Sequence, residues 1–255
     1  MVIDCHVHIL NAEDAHLDAL LRSADRAGVE KLCICSLSRQ WVEFPTAEQL
    51  DEAALDVLTA CEKHPGRFIG FVYTSADHVD KSLELMDRCM VNGPCRIVKW
   101  WISQYADDPR LDSIVEKALE LDVPIMAHTW IKATGNMCKE STYMNVVNLV
   151  KRYPKLKIWM AHASGRWEET ARGVRDYPNI CMDISGGEPE AGIVECLLKH
   201  IEPARIFFGS DAPGRDFSVQ MSKITAAEIP NRYKEDMLGA NVSPWLKLNL
   251  GKKKT

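Results

Sequence analysis

Short apolar runs recur along the 255-residue chain, each followed by a polar connection and then by a stretch with helical periodicity. The runs are VIDCHVHI (2–9), KLCICSL (31–37), RFIGFVY (67–73), RIVKWWI (96–102), PIMAHTW (124–130), KIWMAHA (157–163), NICMDIS (179–185) and RIFFGSD (205–211). They are nearly continuous rather than alternating, as parallel strands buried on both faces require. The helical stretches carry their own stop and start signals. LDALLRSADRAG ends on Gly28, where a left-handed cap belongs, and DDPRLDSIVEKALELD opens with Asp108 as N-cap and Pro109 at the first helical position. TAEQLDEAALDVLTACEKHPG, VDKSLELMDRCMVNG, MNVVNLVKRYP, RWEETARGVRDYP and EAGIVECLLKH repeat the pattern, each stopped by Gly, Pro or a polar break. Eight strands alternating with helices, at intervals of roughly 25 to 35 residues, predict a (β/α)8 TIM barrel of the α/β class. The competing open, doubly wound sheet usually has fewer strands and a glycine-rich phosphate loop, and neither G-x-G-x-x-G nor a P-loop occurs. With no internal repeat or linker to divide it, the chain reads as one domain over 1–255. Residues 230–250 read as a C-terminal helical extension, and 251–255 as a frayed tail.

Composition narrows the function classes. A net charge of −5 argues against a nucleic-acid partner or a polybasic membrane anchor, since the only basic run is the terminal Lys252–Lys254. No apolar stretch approaches the about 20 residues of a membrane span, and the N-terminus lacks a signal-peptide pattern, so a cytoplasmic location is expected. The nine cysteines form no C-x-x-C pair and sit mostly in apolar runs, where buried free thiols are the simplest reading. Cys33 and Cys35 alone are weak evidence for a soft metal.

The candidate chemistry lies at the strand ends, where barrel enzymes build their sites. In DCHVHI, Asp4, His6 and His8 share one parity and project from one face of the first strand. The fourth strand carries Lys99, the fifth His128, the sixth His162, and the eighth ends at Asp211. Closure of the eighth strand on the first makes Asp211 a neighbour of His6 and His8, and the narrow barrel interior brings His128 within reach. Three imidazoles and a carboxylate form a nitrogen/oxygen site suited to one divalent ion: Zn first, with Mn, Fe, Co or Ni compatible by ligand type. His16, His64, His78 and His200 fall on helices or loops and receive no role.

DCHVHI, PIMAHTW, LKIWMAHASG and RIFFGSDAP, in this order over nearly the whole chain, resemble the amidohydrolase superfamily. The likeness is to its amidohydrolase-related branch, which includes the aminocarboxymuconate-semialdehyde decarboxylase group and several lactonases. The resemblance implies that His6, His8 and His128 bind the metal with Asp211, that Asp211 also shuttles protons, and that His162 acts beside the metal as electrophile or acid. Asp4 takes a supporting role. The short LNAEDAH after His8, APGRD in place of Trp-Pro-His, and Pro244 inside the closing helix depart from the family pattern. Lys99 admits three readings: an anchor for a substrate carboxylate, a carbamylated bridge between two metals, or an ion pair with Asp183. Trp101 and Trp130 are candidate pocket aromatics, and Arg166 and Arg215 candidate holders of an anionic small-molecule substrate. The expected activity is metal-dependent hydrolysis of a small cyclic ester, amide or carboxylated substrate through a metal-activated water, with non-oxidative decarboxylation (a lyase) as the alternative. A homo-oligomer is compatible with all of this.

Overall fold

The apolar runs pair side by side in chain order, all parallel, in one eight-stranded sheet. A computed structural model describes residues 1–187 and 190–248. The strands are β1 (Ile3–His8), β2 (Lys31–Cys35), β3 (Phe68–Tyr73), β4 (Cys95–Trp100), β5 (Ile125–Ala127), β6 (Ile158–Met160), β7 (Ile180–Asp183) and β8 (Ile206–Phe207). Backbone bonds from Cys5 N–H to Phe208 O (2.9 Å) and from Asp211 N–H to His6 O (2.8 Å) close the last strand on the first. Helices α1 (Asp14–Arg26), α2 (Ala47–Lys63), α3 (Val79–Met86), α4 (Asp112–Glu120), α5 (Tyr143–Arg152), α6 (Trp167–Val174), α7 (Ile193–Leu197) and α8 (Phe217–Thr225) alternate with the strands, and α9 (Asn231–Glu235) follows. The expected (β/α)8 TIM barrel is the fold.

Local chemistry sets the helix ends. Thr46 accepts from the Gln49 N–H while the Gln49 side chain accepts from the Thr46 N–H, a reciprocal cap on α2. Gly28 takes φ +74° just past α1, with Val29 N–H reaching back to Ala24 O, as its position predicted. Asp108 and Pro109 open a single 3₁₀ turn, and α4 proper starts at Asp112.

Other elements are shorter than the pattern implies. The strand reading carried β5, β6 and β8 through His128, His162 and Asp211. Those strands stop at Ala127, Met160 and Phe207, so the chemical residues sit in the turns beyond them. The EAGIVECLLKH helix contracts to Ile193–Leu197, and α3 ends in a wide turn over Asp87–Val91. The expected helical extension over 230–250 is broken: α9 gives way to a wide turn over Asp236–Ala240 and then to turns through Pro244, which lacks an N–H to continue a helix. Its end and the 251–255 tail lie outside the described residues. Trp245 from this segment packs at ring distances of 6.0 Å and 5.4 Å on the buried Trp159 and Phe207, so the closing segment joins the core.

Candidate active site

Three ligand-type atoms converge where β8 meets β1. His6 Nε2 stands 3.2 Å from His8 Nε2 and 3.7 Å from Asp211 Oδ1, and His8 Nε2 is 3.4 Å from the same oxygen. A tetrahedral ion with bonds of about 2.0–2.1 Å spaces its ligand atoms about 3.3–3.4 Å apart, so this triangle has the size such an ion needs. A nitrogen of His162 also falls in range: ligand atoms of His6, His162 and Asp211 lie within 4.8 Å of one another. The residues present therefore fit a divalent metal. Burial pushes the His8 imidazole down to about 4. Burial would raise the Asp211 carboxyl, but the hydrogen bond to His8 and the surrounding imidazoles hold it well below the usual carboxylate range. Neutral imidazole and ionised carboxylate are the forms that bind metals.

Asp183 and Ser185 orient two of the histidines. The Ser185 hydroxyl donates to Asp183 Oδ1, which also accepts the backbone N–H of His162 (3.1 Å) and of Ser185 (3.0 Å). With its proton so used, Ser185 Oγ can only accept from His6 Nδ1 (2.9 Å) and His162 Nδ1 (3.0 Å). The Ser185 carbonyl, 3.1 Å from His162 Nδ1, is an acceptor as well. Both Nδ1 atoms therefore carry hydrogen, and both Nε2 atoms keep a lone pair. Burial drives the His162 imidazole well below its ordinary range, so this residue offers a lone pair; the acid or electrophile role implied by resemblance needs a protonation that burial opposes. Asp183 itself is ionised: burial works against it, but the His6 imidazole and the Ser185 hydroxyl hold its carboxyl well below the usual range.

The backbone at these residues is strained. His162, Ala163 and Ser164 take φ of +63°, +43° and +56°, and Asp211 takes +66°. Each costs a non-glycine residue about 1–2 kcal/mol, and such costs gather at functional sites. The neighbouring Gly186 has φ +66°, and a Cβ there would fall 2.5 Å from His162 Nδ1. Asp4 supports the closure: its Oδ1 accepts from the His6 and Ser210 N–H groups at 3.0 Å each, and burial pushes its carboxyl up to about 7.

His128 is engaged differently. Its Nε2 lies 2.9 Å from Glu140 Oε1, which also pairs with Lys132 Nζ at 2.8 Å. The ring lies 5.1 Å from His162 and stacks at 26° on Trp130. Trp130, Lys132, His162, Arg166, Ser185 and Arg215 line a cleft of about 430 Å³. Lys99 is buried deeper, with Nζ 3.4 Å from His6 Nε2 and 3.4 Å from Met126 Sδ. The alternative ion pair with Asp183 is not formed among the described residues, because the amine lies on the opposite nitrogen of His6 from Asp183 Oδ2. Trp101 stands 6.3 Å from Trp41, which rests 4.7 Å from the His8 ring.

The sequence reading missed Ser185, Glu140, Lys132 and Trp41, and gave Asp183 only a partner's part. Asp183 carried a usable signal, as a carboxylate in the buried run NICMDIS. Ser185 closes that same run but a serine there carries no mark of its own, and Glu140, Lys132 and Trp41 sit in loops with no periodicity to mark them.

Comparison with known proteins agrees with this architecture. A search of curated proteins finds no match. Among solved structures, 2,6-dihydroxybenzoate decarboxylase complexed with 2,6-dihydroxybenzoate superposes with a TM-score of 0.77 at 17% identity, over 97% of this chain and 98% of that one. 4-Oxalomesaconate hydratase (LigJ) from Rhodopseudomonas palustris gives 0.74 at 18% identity, over 97% and 96%. 5-Carboxyvanillate decarboxylase from Novosphingobium aromaticivorans, complexed with manganese and 4-hydroxy-3-methoxy-5-nitrobenzoic acid, gives 0.72 at 16%, over 90% and 80%. The family profile described as Amidohydrolase matches residues 3–241. With the barrel, the histidine pair on β1 and the aspartate beyond β8 all in place, the chain belongs to the amidohydrolase family.

Proposed function

We propose that the protein is a metal-dependent, non-oxidative decarboxylase of a small aromatic carboxylic acid. The observation that carries this reading is the junction of the ligand triangle with a cleft bearing Trp130, Arg166 and Arg215 beside His162. The decarboxylases of similar fold, with benzoate-type ligands and manganese, support it over hydrolysis. His6, His8 and Asp211 would hold the ion, with His128 as the expected fourth ligand. Such an ion supplies a Lewis acid that anchors substrate oxygens and acidifies a hydroxyl or water.

The chain's own groups do the rest. Arg215, whose guanidinium donates to the neighbouring Gly214 carbonyl, is placed to bind the carboxylate, and Arg166 shares its charge with Glu169 at 3.4 Å. Trp130 offers a face for the ring. The ionised Asp211 takes a proton from the substrate hydroxyl or water at Oδ and returns it to the ring carbon bearing the carboxylate. The carbon–carbon bond then breaks, its electron pair restores the aromatic ring, and carbon dioxide leaves. His162 Nε2, an acceptor, steadies the hydroxyl or the transiently protonated Asp211.

Manganese- or zinc-loaded protein assayed against hydroxybenzoates, lactones and cyclic amides tests this. Release of carbon dioxide, reduced at least about a hundredfold in Asp211→Asn, is expected. Hydrolysis of a lactone or amide with no carbon dioxide from any acid returns the assignment to the hydrolases.

A further inference from the structure

The loop after β5 contains a buried carboxylate with no part in the chemistry above. The Glu140 side chain is fully enclosed, yet Oε1 accepts from His128 Nε2 and Lys132 Nζ, and Oε2 accepts from the Met137 N–H at 2.9 Å. A carboxylate given three donors is ionised and has no hydrogen to offer, so the proton between Glu140 and His128 belongs to Nε2. A neutral imidazole has one hydrogen, and its lone pair is then on Nδ1.

We propose that Glu140 is the positioning residue of the metal centre: it holds His128 as the Nε2–H tautomer, so that Nδ1 is the nitrogen this histidine presents to the His6–His8–Asp211 cluster. The inference rests on the reading of that cluster as a metal site. It sets His128 apart from His6 and His162, which Ser185 holds as Nδ1–H tautomers with Nε2 turned to the site.

The carboxylate cannot follow a rotating ring. The Trp130 N–H bonds the Ser141 carbonyl at 2.8 Å, the Asn136 side chain spans the loop from the Lys132 N–H to the Trp130 carbonyl, and residues 129 and 141 form a bridge. The histidine is fixed in turn by its backbone N–H, which donates to Trp100 O, and by the stack of its ring on Trp130. Lys132 leaves this carboxylate to line the cleft, so the same anchor ties the histidine to the cleft wall.

Long-range proton–nitrogen correlation spectra of protein labelled with ¹⁵N-histidine, recorded metal-depleted and zinc-loaded, test the proposal. In the wild type, His128 Nε2 is expected to remain protonated in both states while Nδ1 shifts on adding zinc. Glu140→Gln is expected to lose that tautomer signature and to weaken zinc binding about 10–100-fold, and Glu140→Asp to regain the signature. A zinc-bound, unprotonated Nε2 in the wild type overturns the proposal, as does an Nδ1 that ignores zinc. So does a folded Glu140→Gln with the wild-type signature and zinc affinity within twofold. If Glu140→Gln does not fold, the wild-type spectra decide alone. Failure of carbon dioxide release with the expected spectra would sink the decarboxylase reading and leave Glu140 standing.

Discussion

At the scale of single residues, the site is governed by who donates to whom. Ser185 is the clearest case, because one hydroxyl sets the tautomer of both His6 and His162. Ser185→Ala removes the hydroxyl that both imidazole N–H groups share, leaving His162 Nδ1 only the residue-185 carbonyl and His6 Nδ1 only Asp183 Oδ2, and zinc affinity measured by competition with a chelator is expected to fall about 10–100-fold. Gly186 acts by absence. Gly186→Ala places a methyl 2.5 Å from His162 Nδ1 and requires φ +66°, so the variant should stay folded by circular dichroism while turnover drops at least about tenfold. Neither position could be singled out from its letter alone. A serine and a glycine at a strand end are ordinary until the histidines of two other strands are seen to lean on them.

At the scale of elements, strands and helices divide the work. The strands stop short of the chemistry, and the turns beyond β6 and β8 carry His162 and Asp211 in left-handed conformations. Helix α2 shows the opposite economy, its ends written in local sequence. Thr46→Ala removes the reciprocal cap and should lower stability by about 1 kcal/mol in urea unfolding, with metal binding unchanged. The loop beyond β8 places Arg215 at the cleft. Arg215→Ala is expected to raise KM for a carboxylate substrate about tenfold or more while kcat changes little, the signature of lost uniform binding.

At the scale of the whole molecule, the proposed metal site joins the first strand to the last. His6 and His8 belong to β1, Asp211 follows β8, and Asp4 bonds the Ser210 backbone at the same seam. An ion bound there acts as a staple on the folded state alone. Thermal unfolding after dialysis against a chelator should therefore show a lower Tm, regained with zinc or manganese; saturation a thousandfold above Kd corresponds to about 4 kcal/mol. No helix among the described residues is long and apolar enough to cross a membrane. The sequence by itself determined the barrel, because buried parallel strands demand continuous apolar runs and helices demand amphipathic ones. It also marked His6, His8 and Asp211, since strand parity and closure of the eighth strand on the first require them to meet. Tertiary structure alone decided that Lys99 lies against His6, that Ser185 and Asp183 hold two imidazoles, and that Glu140 takes the Nε2 of His128. These contacts join side chains far apart in the barrel or folded back through an irregular loop, and hydrogen-bond partners chosen by distance in space leave no period in the chain.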